Sequence, residues 1–332
     1  MSAQPYIDGQ ACEMYNTIHL IFNPVSGQGN AQEDLELLRS RLSPIFDLTI
    51  YETSPECNAN ELVAQSVEQG VDLVVVSGGD GTINAAAEAL VETSIPLAII
   101  PRGTANAVAS ALGIPTNLEE ACELVLTGEA HPIDAARCNG MPMVLLAGIG
   151  LEAGVVERAS RSAKDRLGVL AYMLAGIQEL RELEPFEVTL QTDDKVLSIQ
   201  ACAVTVANMA PPTSILAQGP ESIVADDGFL DITIVAPKGF GGALAASYEL
   251  FRSAMSGEAA QREGIGFLRS KAVKIATQPA QQVVLDGEMA GETPIEVVCL
   301  PQALNVVLPG RETLPKEEDL TRLPELTVNP EE

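Results

Sequence analysis

Val74-Val75-Val76-Ser77-Gly78-Gly79-Asp80-Gly81-Thr82-Ile83-Asn84 is the stretch whose reading decides the fold. A short β-branched run meets a glycine-rich turn, and an alanine-rich segment, Ala85 to Leu90, follows with helical character. A strand feeding a helix through such a turn makes a phosphate cradle: glycines let backbone come close to an anion, and a helix N-terminus points N–H groups at it. Asp80 sits inside the turn on this reading. A carboxylate there repels bare phosphate, so it either meets a metal ion or orders the turn. Thr82 is placed as an N-cap or as a phosphate-contacting hydroxyl. The plainer alternative is a tight βα turn whose Asp caps its own backbone.

Outward from this stretch, strand-like and helix-like segments alternate. Thr17–Phe22 reads as a buried strand running into the turn-rich loop Asn23-Pro24-Val25-Ser26-Gly27-Gln28-Gly29-Asn30. Leu35, Leu37, Leu38 and Leu42 suggest a helix, Phe46–Tyr51 a strand ending at Thr53, residues 58–69 a helix, and Val71–Val76 the third strand. Pro96–Ile100 is the fourth, followed by Pro101-Arg102-Gly103-Thr104-Ala105-Asn106 and another alanine-rich helix. This spacing implies βαβ units on a parallel sheet, whose ligands bind past the carboxyl ends of the strands. Loops 23–30, 77–84 and 101–106 should therefore converge on one edge.

From residue 131 the pattern changes. Residues 131–138 and 143–149 read as strands, and 154–181 as helix broken near Gly168. Strands are then expected at 186–192, 196–207, 229–235, 271–276, 282–286, 294–299 and 303–308, with one helix near 241–254. That is an antiparallel β-rich domain. The expected division is an α/β nucleotide-binding domain over 1–130, a β-rich domain over 131–310, and an acidic, Pro-rich tail over 311–332 packing back on the first domain.

Charge and composition exclude several classes. The 332 residues carry a net charge of −27, and residues 1–130 hold 3 basic against 18 acidic side chains. With no basic footprint, nucleic-acid binding is excluded, and an anionic membrane repels most of this surface, so membrane contact must be local. No apolar run reaches the roughly 18–20 residues a membrane span needs. Met1–Met14 has no basic residue and no apolar core, which argues against a signal peptide. Cys12, Cys57, Cys122, Cys138, Cys202 and Cys299 are scattered without metal-type spacing and read as reduced thiols of a cytoplasmic protein. His19 lies in an apolar run and reads as structural.

Five motifs stand in order: Asn23-Pro24-x-Ser26-Gly27, Gly78-Gly79-Asp80-Gly81-Thr82, Gly103-Thr104-x-Asn106, Asp227-Gly228-x-Leu230-Asp231 and Leu285-Asp286-Gly287-Glu288. Over about residues 17–310 the set resembles the diacylglycerol kinase catalytic family, in particular its soluble bacterial lipid-kinase branch. The resemblance implies an N-terminal doubly wound parallel-sheet domain, a C-terminal antiparallel β-sandwich domain, and an active site in the cleft between them. It implies Mg2+-dependent transfer of the ATP γ-phosphate to the hydroxyl of diacylglycerol or a related membrane lipid, by a protein that is cytoplasmic and peripheral at the membrane; a homodimer is left open. By motif matching, Asn23, Ser26, Gly27, Thr53, Gly78, Gly79, Asp80, Gly81, Thr82, Ile83, Asn84, Arg102, Gly103, Thr104 and Asn106 would bind the nucleotide. Asp227, with the carbonyls of Val224 and Phe229, would hold a metal, and hard oxygen ligands suit Mg2+. Asp286 would be the general base on the lipid hydroxyl, with Glu288 nearby. Both Asp-Gly pairs are also hairpin-turn signatures.

The chain departs from the family pattern at Gln28, where many members carry a basic residue, and at Ala107 and Ser110, where many carry an Asp and an Arg. The first domain has no lysine. Backbone N–H groups, Mg2+ and Arg102 are then the candidates to meet phosphate charge. Arg158, Arg161 and Lys164 lie near one helix face and suggest either an interfacial element on anionic lipid or a solvated face of a packing helix. The alternatives are a kinase of the NAD kinase type acting on a soluble substrate, and a non-catalytic nucleotide-binding regulator.

Overall fold

A computed structural model of the chain describes residues 15–27, 29–150, 185–211, 214, 225–236, 264–309 and the backbone of 327–330. The expected helices at 154–181 and 241–254, the Arg158–Lys164 face, and positions Gln28 and Val224 lie outside the described residues. The chain divides into two compact units: residues 1–133 with 302–312, and residues 134–301 with 313–332.

The first unit alternates as its hydrophobic runs dictate: β1 (Thr17–Phe22), α1 (Ala31–Leu42), β2 (Asp47–Glu52), α2 (Ala59–Gln69), β3 (Leu73–Gly78), α3 (Asp80–Leu90), β4 (Leu97–Pro101), α4 (Ala107–Ala111) and α5 (Leu118–Thr127). The strands are parallel in the order β2-β1-β3-β4. Helices cover both faces. Leu35, Leu38 and Leu42 of α1 and Ala121, Cys122 and Val125 of α5 pack on Ile18, Leu20, Phe22, Leu73 and Val75. On the opposite face His19 Nδ1 lies 2.8 Å from Ser66 Oγ of α2. Ser66 donates its own hydroxyl proton to Leu62 O, so His19 is the donor in that pair, and burial lowers the pKa of the ring. His19 is thus structural. A parallel sheet buried on both faces explains why β3 reads as an unbroken apolar run. Strand order reverses between β1 and β3, the point at which such sheets bind ligands.

The second unit is an antiparallel sandwich. Its strands are β5 (Glu129–Cys138), β6 (Met141–Met143), β7 (Leu146–Gly150), β8 (Phe186–Thr192), β9 (Lys195–Ala201), β10 (Ala203–Ala207), β11 (Leu230–Val235), β12 (Ile265–Ser270), β13 (Ala272–Gln278), β14 (Gln282–Leu285), β15 (Glu288–Glu292), β16 (Ile295–Leu308) and β17 (Thr327–Pro330). One sheet runs β12-β11-β10-β7-β14-β15; the other contains β17-β9-β8-β13-β16. Val188, Leu190, Leu197, Ile199, Val273 and Ile275 from the second sheet pack on Ile149, Val204, Val206, Ile232, Ile234 and Val283 from the first. β5 begins in the first unit and β16 ends there, where Val306 pairs with Leu97 parallel to β4.

Several local expectations are corrected. The apolar run 196–207 is two strands in different sheets, because the chain turns at Cys202, whose N–H bonds Val235 O. The runs 294–299 and 303–308 are one strand, β16. Helix α5, capped by Asn117 Oδ1 accepting the N–H groups of Glu119 and Glu120, and strands β6, β12 and β15 were not expected. The tail was expected against the first domain; its described residues, Thr327–Pro330, pair antiparallel with β9 of the second unit. Among the described cysteines none is in a disulfide, and burial pushes the thiols of Cys122 and Cys138 up to about 11 and of Cys299 to about 12.

Candidate active-site elements

The first unit gathers three loops at the carboxyl ends of β1, β3 and β4, as the alternation predicts. Asn23 N–H bonds Ser77 O at 2.9 Å, Asn23 Nδ2 donates to Thr82 Oγ1 at 2.7 Å, and Gly79 N–H donates to Ser26 Oγ at 3.1 Å. Arg102 N–H bonds Gly78 O at 2.7 Å, and Gly103 N–H bonds Asn106 Oδ1 at 2.7 Å. Thr53 N–H bonds Phe22 O at 2.9 Å, anchoring the end of β2 beside the same loops. Thr104 is exposed, while Ile83 and Asn84 are buried on α3.

Two glycines are required by closeness. A Cβ on Gly78 would lie 2.7 Å from Thr82 Cβ, and one on Gly103 would lie 2.9 Å from Gly79 Cα. The β3 and β4 loops therefore touch backbone to backbone, and any side chain would pry them apart. Helix α3 starts at Asp80 with Gly79 as N-cap, and no side chain caps it. The N–H groups of Thr82 and Ile83 bond Gly79 O, which leaves those of Asp80 and Gly81, with the helix dipole, as an anion-binding terminus.

This start corrects two expectations. Asp80 is the first residue of α3 rather than a turn residue, and Thr82 is inside the helix rather than its N-cap. Asp80 takes the turn-ordering role: its Oδ2 accepts Asn106 N–H at 3.0 Å and its Oδ1 accepts Ala107 N–H. It thereby caps α4 and ties α3 to the β4 loop.

Arg102 is 7% exposed. Nε donates to Asp34 Oδ2 at 2.9 Å, Nη2 lies 2.8 Å from the same oxygen, and Nη1 donates to Asn23 O at 3.0 Å. The guanidinium stacks 4.4 Å from the Phe22 ring centroid. A Cβ on Gly27, whose φ is +95°, would lie 3.3 Å from Arg102 Nη2. Arg102 therefore holds the Asn23–Gly27 loop from beneath, with its charge neutralised by Asp34, and the cradle offers backbone N–H groups in place of a side-chain cation. Asp34, which the motifs did not single out, is the partner that fixes this.

In the second unit Asp286 and Gly287 form the two-residue turn between β14 and β15, with φ of 49° and 92°. The turn aims the Asp286 carboxylate at the chain before β7: Oδ2 accepts Val144 N–H at 2.7 Å, and Oδ1 accepts Leu145 and Leu146 N–H at 2.9 and 2.8 Å. Burial raises its pKa to about 6, against those three bonds, which lower it. A partly exposed carboxylate with a pKa near neutrality is poised to accept a proton. Glu288 is exposed and sits across the turn, paired with Leu285.

Asn208 was missed by sequence reasoning. It is fully buried at the end of β10. Its Nδ2 donates to Val144 O and Asp134 O, both at 2.9 Å, while its Oδ1 has no hydrogen-bond partner among the described residues. Leaving that acceptor unpaired costs about 1–3 kcal/mol, which a residue chosen only for packing would avoid. An Asn after an apolar strand was the only signal.

The expected metal loop is differently arranged. Asp227 Oδ1 accepts Phe229 N–H at 3.1 Å and Oδ2 is ion-paired with Arg269, whose Nε lies 3.5 Å from Asp231 Oδ1. Arg269 also stacks 4.8 Å from the Phe229 ring centroid. Both Asp227 oxygens are engaged and its charge is met by Arg269, so a cation at this carboxylate would have to displace the guanidinium. Among the described residues no cluster of three His, Cys, Asp or Glu side chains could hold a metal ion, and no helix is long and apolar enough to cross a membrane.

Comparison with known proteins matches two successive segments of the chain. Residues 17–138 match the model of the diacylglycerol kinase catalytic domain, and residues 146–308 match that of the YegS C-terminal NAD kinase beta sandwich-like domain. A diacylglycerol kinase of Bacillus subtilis is 31% identical over 303 residues, which are 87% of this chain and 95% of that protein. A Synechocystis protein described as uncharacterized is 45% identical over 304 residues, 88% of this chain and 70% of that one. A crystal structure of a diacylglycerol kinase from Bacillus anthracis superposes with a TM-score of 0.69 at 25% identity, covering 89% of this chain and 97% of that one.

Proposed function

Because the chain belongs to the diacylglycerol kinase catalytic-domain family, we propose that it is an ATP-dependent lipid kinase that phosphorylates the hydroxyl of diacylglycerol or a related membrane lipid. The observation that carries this reading is the cradle of the first unit: two glycine loops in backbone contact below an uncapped helix N-terminus. A concave set of N–H groups of this kind binds polyphosphate. Arg102 is neutralised by Asp34, so the phosphate charge is met by backbone dipoles and by the Mg2+ that enters as part of the MgATP substrate. That Mg2+ lowers the cost of gathering charge on the γ-phosphate.

Asp286 takes the part of general base. The lipid hydroxyl oxygen bonds to the γ-phosphorus, its proton passes to the Asp286 carboxylate, and the bond from γ-phosphorus to the β–γ bridging oxygen breaks, with ADP leaving on that electron pair. Val144, Leu145 and Leu146 N–H hold both carboxylate oxygens in place, so a lone pair rather than the whole side chain is what reaches the hydroxyl. The lipid hydroxyl lies at a membrane surface, and contact with that surface is transient in this reading.

The same three N–H bonds favour a second reading, in which Asp286 only locks the β14–β15 turn of a nucleotide-binding regulator. ADP release by the purified chain in mixed micelles, with and without diacylglycerol, tests the proposal. ADP release that depends on the lipid supports the kinase; ATP binding without lipid-dependent release supports the regulator.

A further inference from the structure

The segment Val144–Leu146 has its backbone polar groups taken from two sides. From one side the Asp286 carboxylate accepts its three N–H groups, and Asp286 N–H bonds Leu146 O at 2.9 Å. From the other side Asn208 Nδ2 bonds Val144 O at 2.9 Å, and the N–H groups of Asn208 and Met209 bond Leu145 O at 2.8 and 3.1 Å. The second hydrogen of Asn208 Nδ2 reaches Asp134 O on β5. Asp134 in turn accepts Gly228 N–H on its Oδ2 at 2.6 Å and donates its own N–H to Ala225 O at 2.6 Å. One buried carboxamide thus bridges the segment that cradles Asp286 and the strand that anchors the Asp227 loop.

The orientation of that carboxamide follows from its partners. Two carbonyl oxygens can only accept, so the nitrogen must face both of them, and the oxygen is left without a donor among the described residues. The side chain therefore carries an unpaired buried acceptor in order to donate twice.

We propose that Asn208 is a positioning residue for Asp286: by fixing Val144 and Asp134 together it holds the three N–H groups at the geometry that aims the carboxylate. The kinetic consequence rests on the lipid-kinase reading above; the structural consequence does not. Cys138 on β5 interacts electrostatically with Asp286, and its thiol, pushed up to about 11, stays neutral across the relevant range. Glu288, across the turn, is the nearby carboxylate on the β15 side. Loosening the segment removes hydrogen bonds that favour the ionised form of Asp286, so the carboxyl holds its proton to higher pH.

The test uses the full chain carrying Asn208→Asp, which keeps shape and loses both donors, and Asn208→Ser, which keeps one hydroxyl donor. For the folded fraction of each, kcat falls about 10- to 100-fold with the KM for ATP unchanged, and the acid limb of the pH–rate profile moves upward by about one unit, Asn208→Ser less than Asn208→Asp. Independently of turnover, amide exchange at Val144, Leu145 and Leu146 speeds up at least about 10-fold relative to the β8 amides. A lower melting temperature with an unmoved pH limb, or unchanged exchange at the three amides, overturns the proposal. If the wild-type chain has no kinase activity, the function reading fails alone and the exchange result still decides the role of Asn208.

Discussion

Replacing Arg102 by alanine separates a residue that touches phosphate from one that props the loop beneath it. The change removes the Asp34 ion pair, the bond to Asn23 O and the stacking on Phe22. Breaking a fully buried ion pair costs about 3–5 kcal/mol, most of it the stranding of the remaining charge. Here the Arg102 side chain is 4% exposed but Asp34 is 26% exposed, so water rehydrates part of the stranded carboxylate. The cost therefore falls below that range, at about 2–3 kcal/mol, which is a drop of about 4–12 °C in Tm for a unit of this size. The Asn23–Gly27 loop then loses its underside, and ATP affinity falls about tenfold. Differential scanning calorimetry and calorimetric ATP titration read the two effects. Asp34→Asn in the Arg102→Ala background removes the stranded charge and recovers part of the Tm loss, but not the ATP affinity. A variant that loses ATP affinity with its Tm unchanged would refute the propping role, since that is the pattern of a direct phosphate ligand.

Other consequences are read more simply. Gly103→Ala forces a Cβ to 2.9 Å from Gly79 Cα, so ATP affinity should fall at least about tenfold; wild-type affinity in a titration would contradict the backbone contact. Asp80→Asn opposes an amide NH2 to one of the two N–H groups of Asn106 and Ala107, costing about 1–2 kcal/mol of stability by denaturant melts. Since the Asp286 carboxyl is raised to about 6, kcat/KM should rise with pH through about 6 as the base loses its proton. A rate that does not change between pH 5 and 7 would rule Asp286 out as the titrating base. The stability sign is opposite. The folded state holds the Asp286 proton more tightly than the unfolded chain does, so this group's contribution to stability falls as pH rises from about 4 to about 6 and is level above.

The parallel half was legible because its central strands are buried on both faces: Ile18–Phe22, interrupted by His19, and Leu73–Val76 stand out as apolar runs, and each is closed by glycine or Asn-Pro. Convergence of the three loops followed from parallel topology alone. What was hidden depended on partners distant in sequence. Arg102 looked like a phosphate ligand because Asp34, 68 residues earlier, is not visible as its partner. Asp80 looked like a turn residue because Gly-Gly-Asp-Gly does not say where the helix begins. The run 196–207 conceals a change of sheet at Cys202, since both strands are apolar and only pairing distinguishes them. Asn208 gave a single polar letter after a strand, and its meaning lies in Val144 and Asp134, 64 and 74 residues away.

Transfer of labelled γ-phosphate from ATP to a panel of hydroxyl-bearing lipids in mixed micelles, run beside Asp286→Asn, tests the central claim most directly. The account predicts label in diacylglycerol or a related lipid, and its loss in the variant while ATP still binds. Label that persists in Asp286→Asn would contradict the assignment of the base, and ATP bound with no lipid labelled would contradict the lipid kinase itself.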